Sequence, residues 1–206
     1  MARRGDQLRE HILWKAKDVF LQMGFERASM DVVAARAETS KRTLYAHFES
    51  KENLFLAVIE LVRGLFLNRL KSPSDYGEDP SEALVLFCGR YLGSLRYQPS
   101  IQMCRLSMAE TARFPQGAAQ HFDAMFTEVG ARIGTYLDAT YGLPSGTGDA
   151  AAQRLLAELL YPRLLRALFG LDELANSFEE AALSESDLVP VREAVTEMLR
   201  SLPQPP

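Results

Sequence analysis

Residues 29–51, SMDVVAARAETSKRTLYAHFESK, decide how the chain is read. Met30, Val33, Ala34 and Ala37 recur at helical spacing. Ser29 precedes them as an N-cap, and Asp31 falls in the first turn, where the helix dipole favours negative charge. Ala37-Glu38-Thr39-Ser40 interrupts the pattern. Ser40 then caps a second short helix from Lys41 to about Phe48, with Leu44 and Phe48 on its inner face. Its other face holds Lys41, Arg42, Thr43, Tyr45 and His47. Cations, a hydroxyl and a phenol on a short solvent-facing helix after a tight turn suit a DNA major groove. The spacing predicts a helix-turn-helix; taken alone, it leaves open an ordinary helical hairpin with a solvated polar face.

Particular residues narrow the choice. Gly24-Phe25, Ser29-Met30, Val33-Ala34, Ala37, Ser40 to Tyr45, His47-Phe48 and Ser50 to Leu54 stand in a fixed order. This stretch resembles the DNA-binding domain of the TetR family of bacterial transcriptional regulators. The resemblance covers about the first quarter of the chain. It implies that His47 lies near DNA and that Lys51, opening the next helix, contacts phosphate; a helix N-terminus beside a lysine suits an anion. The chain departs from the family at Glu38, where the turn usually has Gly, and at Thr39, where it usually has Val. A residue other than Gly at positive φ costs about 1 kcal/mol. Either Glu38 accepts that strain or the turn takes another shape.

Composition sets the outer bounds. At 206 residues the chain is long enough for one domain or two small ones. Residues 1–51 hold 10 Lys+Arg against 7 Asp+Glu, a net of +3, in a chain whose net charge is −4. The field at that end can steer DNA despite the acidic total. No apolar run approaches the ~20 residues of a membrane span. No secretory leader is evident, and Cys88 and Cys104 are the only cysteines. These features predict a cytoplasmic protein with no membrane partner.

The rest of the chain reads as helices. An amphipathic stretch from about Asp6 ends at Met23, with Gly24 as its C-cap. Ser50 caps a helix carrying Leu54, Val58, Leu61 and Leu65. Residues 71–79 form a turn-rich linker, and Asp79-Pro80-Ser81-Glu82 opens the next helix. Further helices are expected over 101–114, from Pro115 to about Leu137, and from an Asp149 cap to Phe169, kinked at Pro162. Residues 171–183 are loop or short helix; the last helix starts near Pro190, and 203–206 is a frayed tail. No strand-like alternation persists. The expected class is all-α: an N-terminal three-helix helix-turn-helix domain (1–51), a connecting helix (52–71) and a C-terminal helical effector-binding and dimerisation domain (72–206). Arg105-Leu106, Ala109-Glu110, Arg113-Phe114-Pro115 and Leu168-Phe169-Gly170 also look like the C-terminal domain of the AefR-like subgroup of the family.

No enzyme constellation is legible. His11, His47 and His121 lack metal-ligand spacing, and there is no Gly-rich phosphate loop or nucleophile motif. Neither a metal nor a cofactor is expected. Cys88 and Cys104 read as core residues, with a redox pair as the alternative; His121 reads as a polar helix-edge residue, with a ligand contact as the alternative. Phe87, Tyr91, Met103, Met108, Phe122, Met125 and Phe126 are large and partly adaptable, and are the candidate effector pocket, core packing being the other reading. Leu156, Leu160, Leu164 and Leu168, with Val191, Val195 and Met198, are the candidate dimer interface of a four-helix bundle, the mode the family implies.

The sequence therefore predicts a homodimeric regulator, a repressor released from a pseudo-palindromic double-stranded operator by a small, largely apolar effector. Arg42 and Thr43 would reach base edges; Ser29, Lys41, Tyr45, His47 and Lys51 would hold phosphates. The alternatives are an effector-independent nucleoid or division-control protein on the same fold and, more remotely, an α-helical enzyme.

Overall fold

The computed structural model describes residues 4–203; the expected tail at 204–206 lies outside them. Among the described residues the chain is helical, with one isolated bridge between Tyr97 and Ala175. It divides into two compact units: Met1–Leu65 with Gln102–His121, and Phe66–Ile101 with Phe122–Pro206. The boundaries expected at 51 and 71 are not those of the units. Met103 and Phe114, far along the sequence, are apolar and complete the first core, so their segment joins it.

The first unit contains α1 (Arg4–Arg27), α2 (Met30–Arg36), α3 (Lys41–Phe48) and most of α4 (Lys51–Leu70). Gly24 interrupts α1 at φ 74°, ψ 168°, a conformation open essentially to glycine alone. The chain turns there and sends Phe25 inward. Phe25 meets Phe55 at 5.1 Å and Phe114 at 4.9 Å between ring centroids, in edge-to-face geometry. Ile12, Val19, Leu44, Leu54 and Val58 surround this cluster in the same core.

The turn between α2 and α3 keeps the usual shape. Thr39 N–H donates to Ala34 O at 3.0 Å and Glu38 N–H to Ala35 O at 3.2 Å, the two bonds of a Schellman cap. Glu38 is the left-handed residue of that cap, at φ 49°. Of the two possibilities the sequence leaves, Glu38 carries the strain.

In the second unit α5 (Pro80–Arg96) is buried along nearly its whole length. Asp79 caps it, accepting from Glu82 N–H at 2.7 Å. α6 (Gln98–Ala109) and α7 (Pro115–Phe122) follow in sequence but lie mostly in the first unit, and α6 ends before the expected Phe114. A π-helical turn over 123–127 leads into α8 (Glu128–Tyr141). α9 (Thr147–Leu160) starts two residues before the expected Asp149 cap, after Gly146 at φ 85°. It packs closely on α8: a Cβ on Gly148 would lie 2.3 Å from Gly134 O. The single kinked helix expected to Phe169 is instead two, because Pro162 withholds a backbone donor and α10 (Arg163–Phe169) begins only after it. α11 (Phe178–Ala181) lies in the segment left open in sequence. α12 (Glu185–Arg200) starts five residues before Pro190, set by a Ser184–Asp187 capping box that the proline obscured.

Relieving the left-handed residue tests this turn. Glu38→Gly should raise the unfolding free energy by up to about 1 kcal/mol over Glu38→Ala, read from urea midpoints. Equal midpoints for the two variants would show that no such strain exists.

Candidate nucleic-acid interface

The expected DNA-facing residues lie on α2 and α3 and at the start of α4. Ser29 is extended at φ −130°, and its hydroxyl accepts from Val32 N–H at 3.3 Å. Ser40 caps α3, accepting from Thr43 N–H at 3.0 Å. The two hydroxyls of Ser40 and Thr43 also bond each other at 2.8 Å, which ties Thr43 partly into the cap. Leu44 and Phe48 anchor the inner face of α3. Lys41, Arg42, Tyr45 and Ala46 are exposed, and His47 is half-buried against Phe48. Arg42 makes no hydrogen bond or ion pair among the described residues. It lies three residues before Tyr45 and four before Ala46, so these side chains share one helical face, and the small Ala46 leaves it low. Ala46 carries no polar group and so leaves no signal of this role in the sequence.

Two of the cations are engaged within the protein. Lys41 is ion-paired with Asp31 across the turn. Lys51 Nζ donates to Phe25 O at 2.9 Å, Ala28 O at 3.1 Å and Glu26 O at 3.4 Å, and sits 4.2 Å from the Phe25 ring centroid. Its three donors are thereby taken. The ammonium expected at a phosphate is instead the cap for the carbonyls that follow the Gly24 break, because those acceptors otherwise end unpaired beside a buried ring. An ammonium bonded to main chain 23–26 residues away leaves no local sequence signal.

The other expected sets separate. Met103 and Met108 belong to the first unit, and Phe87, Tyr91, Phe122, Met125 and Phe126 to the second. Phe87 and Tyr91 have no exposure, and Tyr91 Oη donates to Met125 O at 2.9 Å. Met108 and Phe122 are more than half exposed. A cavity of about 390 Å³ in the second unit has none of the seven in its lining. Its leucines, among them Leu92, Leu95, Leu160 and Leu164, share the wall with charged groups such as Arg96 and Asp187.

The expected interface residues divide by burial. Val191 and Val195 are 0% exposed in the chain's own core, and Leu156 and Met198 are buried with them. Leu160, Leu164 and Leu168 are half-buried. The outward apolar residues are Tyr161, Leu165 and Phe169, with Leu171 and Val189. Within α10, Leu164 and Leu168 form one i,i+4 pair and Leu165 and Phe169 another, which differ in direction around the axis by one residue, about 100°. The pattern shows a stripe, and packing decides which stripe is covered.

Cys88 and Cys104 are free and buried in different units, and burial pushes their thiols up to about 12 and about 11, so the redox-pair alternative has no geometry here. Among the described residues no group of three or more His, Cys, Asp or Glu is placed to hold a metal, and no helix is long and apolar enough to cross a membrane.

Residues 12–58 match the family described as bacterial regulatory proteins, tetR family. Residues 82–200 match the AefR-like transcriptional repressor C-terminal domain. UidR, a transcriptional regulator of Escherichia coli (strain K12), is 29% identical over 187 residues, covering 79% of this chain and 91% of UidR. FasR, a transcriptional activator of Mycolicibacterium smegmatis, is 46% identical over 55 residues; that match covers 27% of this chain and a quarter of FasR's own length. The solved structure of the flavonoid-responsive regulator FrrA superposes with a TM-score of 0.73 at 26% identity, covering 95% of this chain and 97% of FrrA.

Lys51→Met keeps the apolar stem and removes three hydrogen bonds from one ammonium. It should lower the unfolding free energy by about 1.5–3 kcal/mol, the range for bonds to a charged donor, read from the urea midpoint. An unchanged midpoint with weakened DNA binding would return Lys51 to a phosphate role.

Proposed function

The chain belongs to the TetR family of bacterial regulatory proteins, with an AefR-like C-terminal region, and is a DNA-binding transcriptional regulator; from that premise we propose that it is a homodimeric repressor of a pseudo-palindromic operator, released by a small, largely apolar effector. The observation that carries the DNA-reading half is the outer face of α3, where Arg42 stands exposed and, among the described residues, unpartnered, three residues before Tyr45. A guanidinium free of internal partners can bond a guanine edge with two donors. Tyr45, Ser29, His47 and Lys41 then hold the flanking phosphates, Lys41 by leaving its exposed pair with Asp31. Such pairs are worth about 0–1 kcal/mol, so exchange for a phosphate is open to it. Thr43 adds a methyl group and a hydroxyl beside Arg42. In functional terms residues 1–51 read DNA and 72–206 regulate, although the compact units are drawn differently.

Dimerisation through Tyr161, Leu165, Phe169, Leu171 and Val189 replaces the interface read from sequence. These side chains leave apolar surface uncovered on the second unit, and a two-fold copy would bury it. Two-fold symmetry in turn implies half-sites about one DNA turn, roughly 34–36 Å, apart. The repressor sign is supported by the AefR-like repressor match, while the likeness to the activator FasR shows that relatives differ in sign. FrrA, named for its response to flavonoids, supports an aromatic or otherwise largely apolar effector. The flavonoid-responsive FrrA counts against the effector-independent alternative, and the family is one of regulators rather than enzymes.

Genomic fragments selected by the purified protein at stated, near-physiological salt test the DNA half, with Tyr45→Ala as control. A short palindrome should be recovered and lost in the variant. Arg42→Ala should cost about 1–3 kcal/mol on that operator and relax preference at one base position. Uniform loss on every sequence would remove Arg42 from base reading. Phe169→Glu should shift the sedimenting species from dimer to monomer; an unshifted dimer would place the interface elsewhere.

A further inference from the structure

The core of the first unit is apolar except at one place. On α6, Cys104 and Ser107 are three residues apart and so share a face, and both are buried. On α7, His121 is 5% exposed and brings Nε2 to 3.5 Å from Cys104 Sγ. Cys104 links the two: it touches His121 and shares its face of α6 with Ser107. Ser107 Oγ and His121 Nδ1 are both buried with no hydrogen-bond partner among the described residues. Ser94 is the contrast: equally buried, it donates to Arg90 O at 3.0 Å. A buried polar atom left unpaired is destabilising, and most such atoms in folded proteins have a partner. Two in one cluster point to a group that belongs there.

The chemistry of that group follows from the donors. Burial holds His121 neutral, its pKa pushed down to about 4, and keeps the Cys104 thiol protonated. A thiol donates better than its sulfur accepts, so Sγ–H donates to Nε2 and the ring proton resides on Nδ1. The cluster then offers one N–H donor and one hydroxyl that can donate or accept. A carboxylate would be poorly served, because no cationic group is in the cluster to balance it. A neutral oxygen is well served.

We propose that Ser107 and His121 anchor a neutral hydroxyl or carbonyl oxygen of the effector, which accepts from His121 Nδ1–H and pairs with Ser107 Oγ. This rests on the reading of the chain as effector-responsive and gives that effector one polar group on an otherwise apolar body. Cys104 is a positioning residue: its thiol fixes the imidazole tautomer.

Phenol and toluene, nearly alike in shape and differing in the hydroxyl, are the probes. Full-length protein labelled with ¹⁵N-histidine is titrated with each. Phenol should move the His121 ring resonances and toluene should not. Ser107→Ala should weaken phenol binding about fivefold, the worth of one hydrogen bond, and leave toluene within about twofold. His121 resonances unmoved by phenol, or moved equally by toluene, would overturn the proposal. So would a Nδ1–H already bonded to a trapped water that phenol does not displace. Operator release separates this proposal from the reading beneath it. Hydroxylated aromatics that release wild type and Ser107→Ala at the same concentration sink the anchor alone. If no small aromatic releases the protein while phenol still binds at His121, the effector reading fails and the site stands.

Discussion

The first unit depends on how α1 ends. Gly24 takes a backbone conformation that other residues cannot hold without strain, and the chain reverses sharply enough to bury Phe25. That reversal strips three carbonyls, on Phe25, Glu26 and Ala28, of helical partners, and Lys51 supplies a donor to each. One ammonium therefore joins the end of α1 to the beginning of α4, with α2 and α3 between them in sequence. The Phe25 ring stands under the same ammonium and against Phe55 and Phe114, so the polar clamp and the aromatic core share a residue. Arg113 adds a second cation over that ring and an ion pair to Glu26.

What was legible in the sequence was mostly local. The Ser29, Ser40 and Asp79 caps, the left-handed end at Gly170 and the inward Leu44 and Phe48 are written within three or four residues, the range over which side chains satisfy helix ends. Pro162 was rightly placed as a disturbance, but a proline with extended backbone before it can end a helix as well as bend it, and here it ends one. Pro190 misled in the opposite sense. As a helix opener it was plausible, yet Ser184 and Asp187 bond each other's backbone and start α12 first.

What was not legible was which partner, among distant ones, each face would find. Lys51 carries the same residue type whether it meets a phosphate or three carbonyls. Val191 and Val195 carry the same apolar stripe whether it meets α5 and α9 of its own chain or a second subunit. In both cases the residue chemistry is local and the partner is not. The segment 102–121 shows the same limit: Met103 and Phe114 are evident core residues, but nothing in their neighbourhood says which core.

These pairings change what the positive end of the chain can do. Residues 1–51 carry a net of +3, which suggests a general attraction to DNA. Lys51 is committed to carbonyls and Lys41 is shared with Asp31, whereas Arg42 has no such tie. Each phosphate neutralised by a side chain releases counterions and strengthens binding without regard to sequence. Withdrawing Lys51 from that role, and asking Lys41 to exchange one partner for another, lowers the sequence-independent part of the affinity. The exposed guanidinium of Arg42, whose useful partners are base edges, is left in place, with Ala46 beside it allowing close approach. On the proposed reading, α3 is weighted toward discrimination between sequences rather than toward tight binding to all of them.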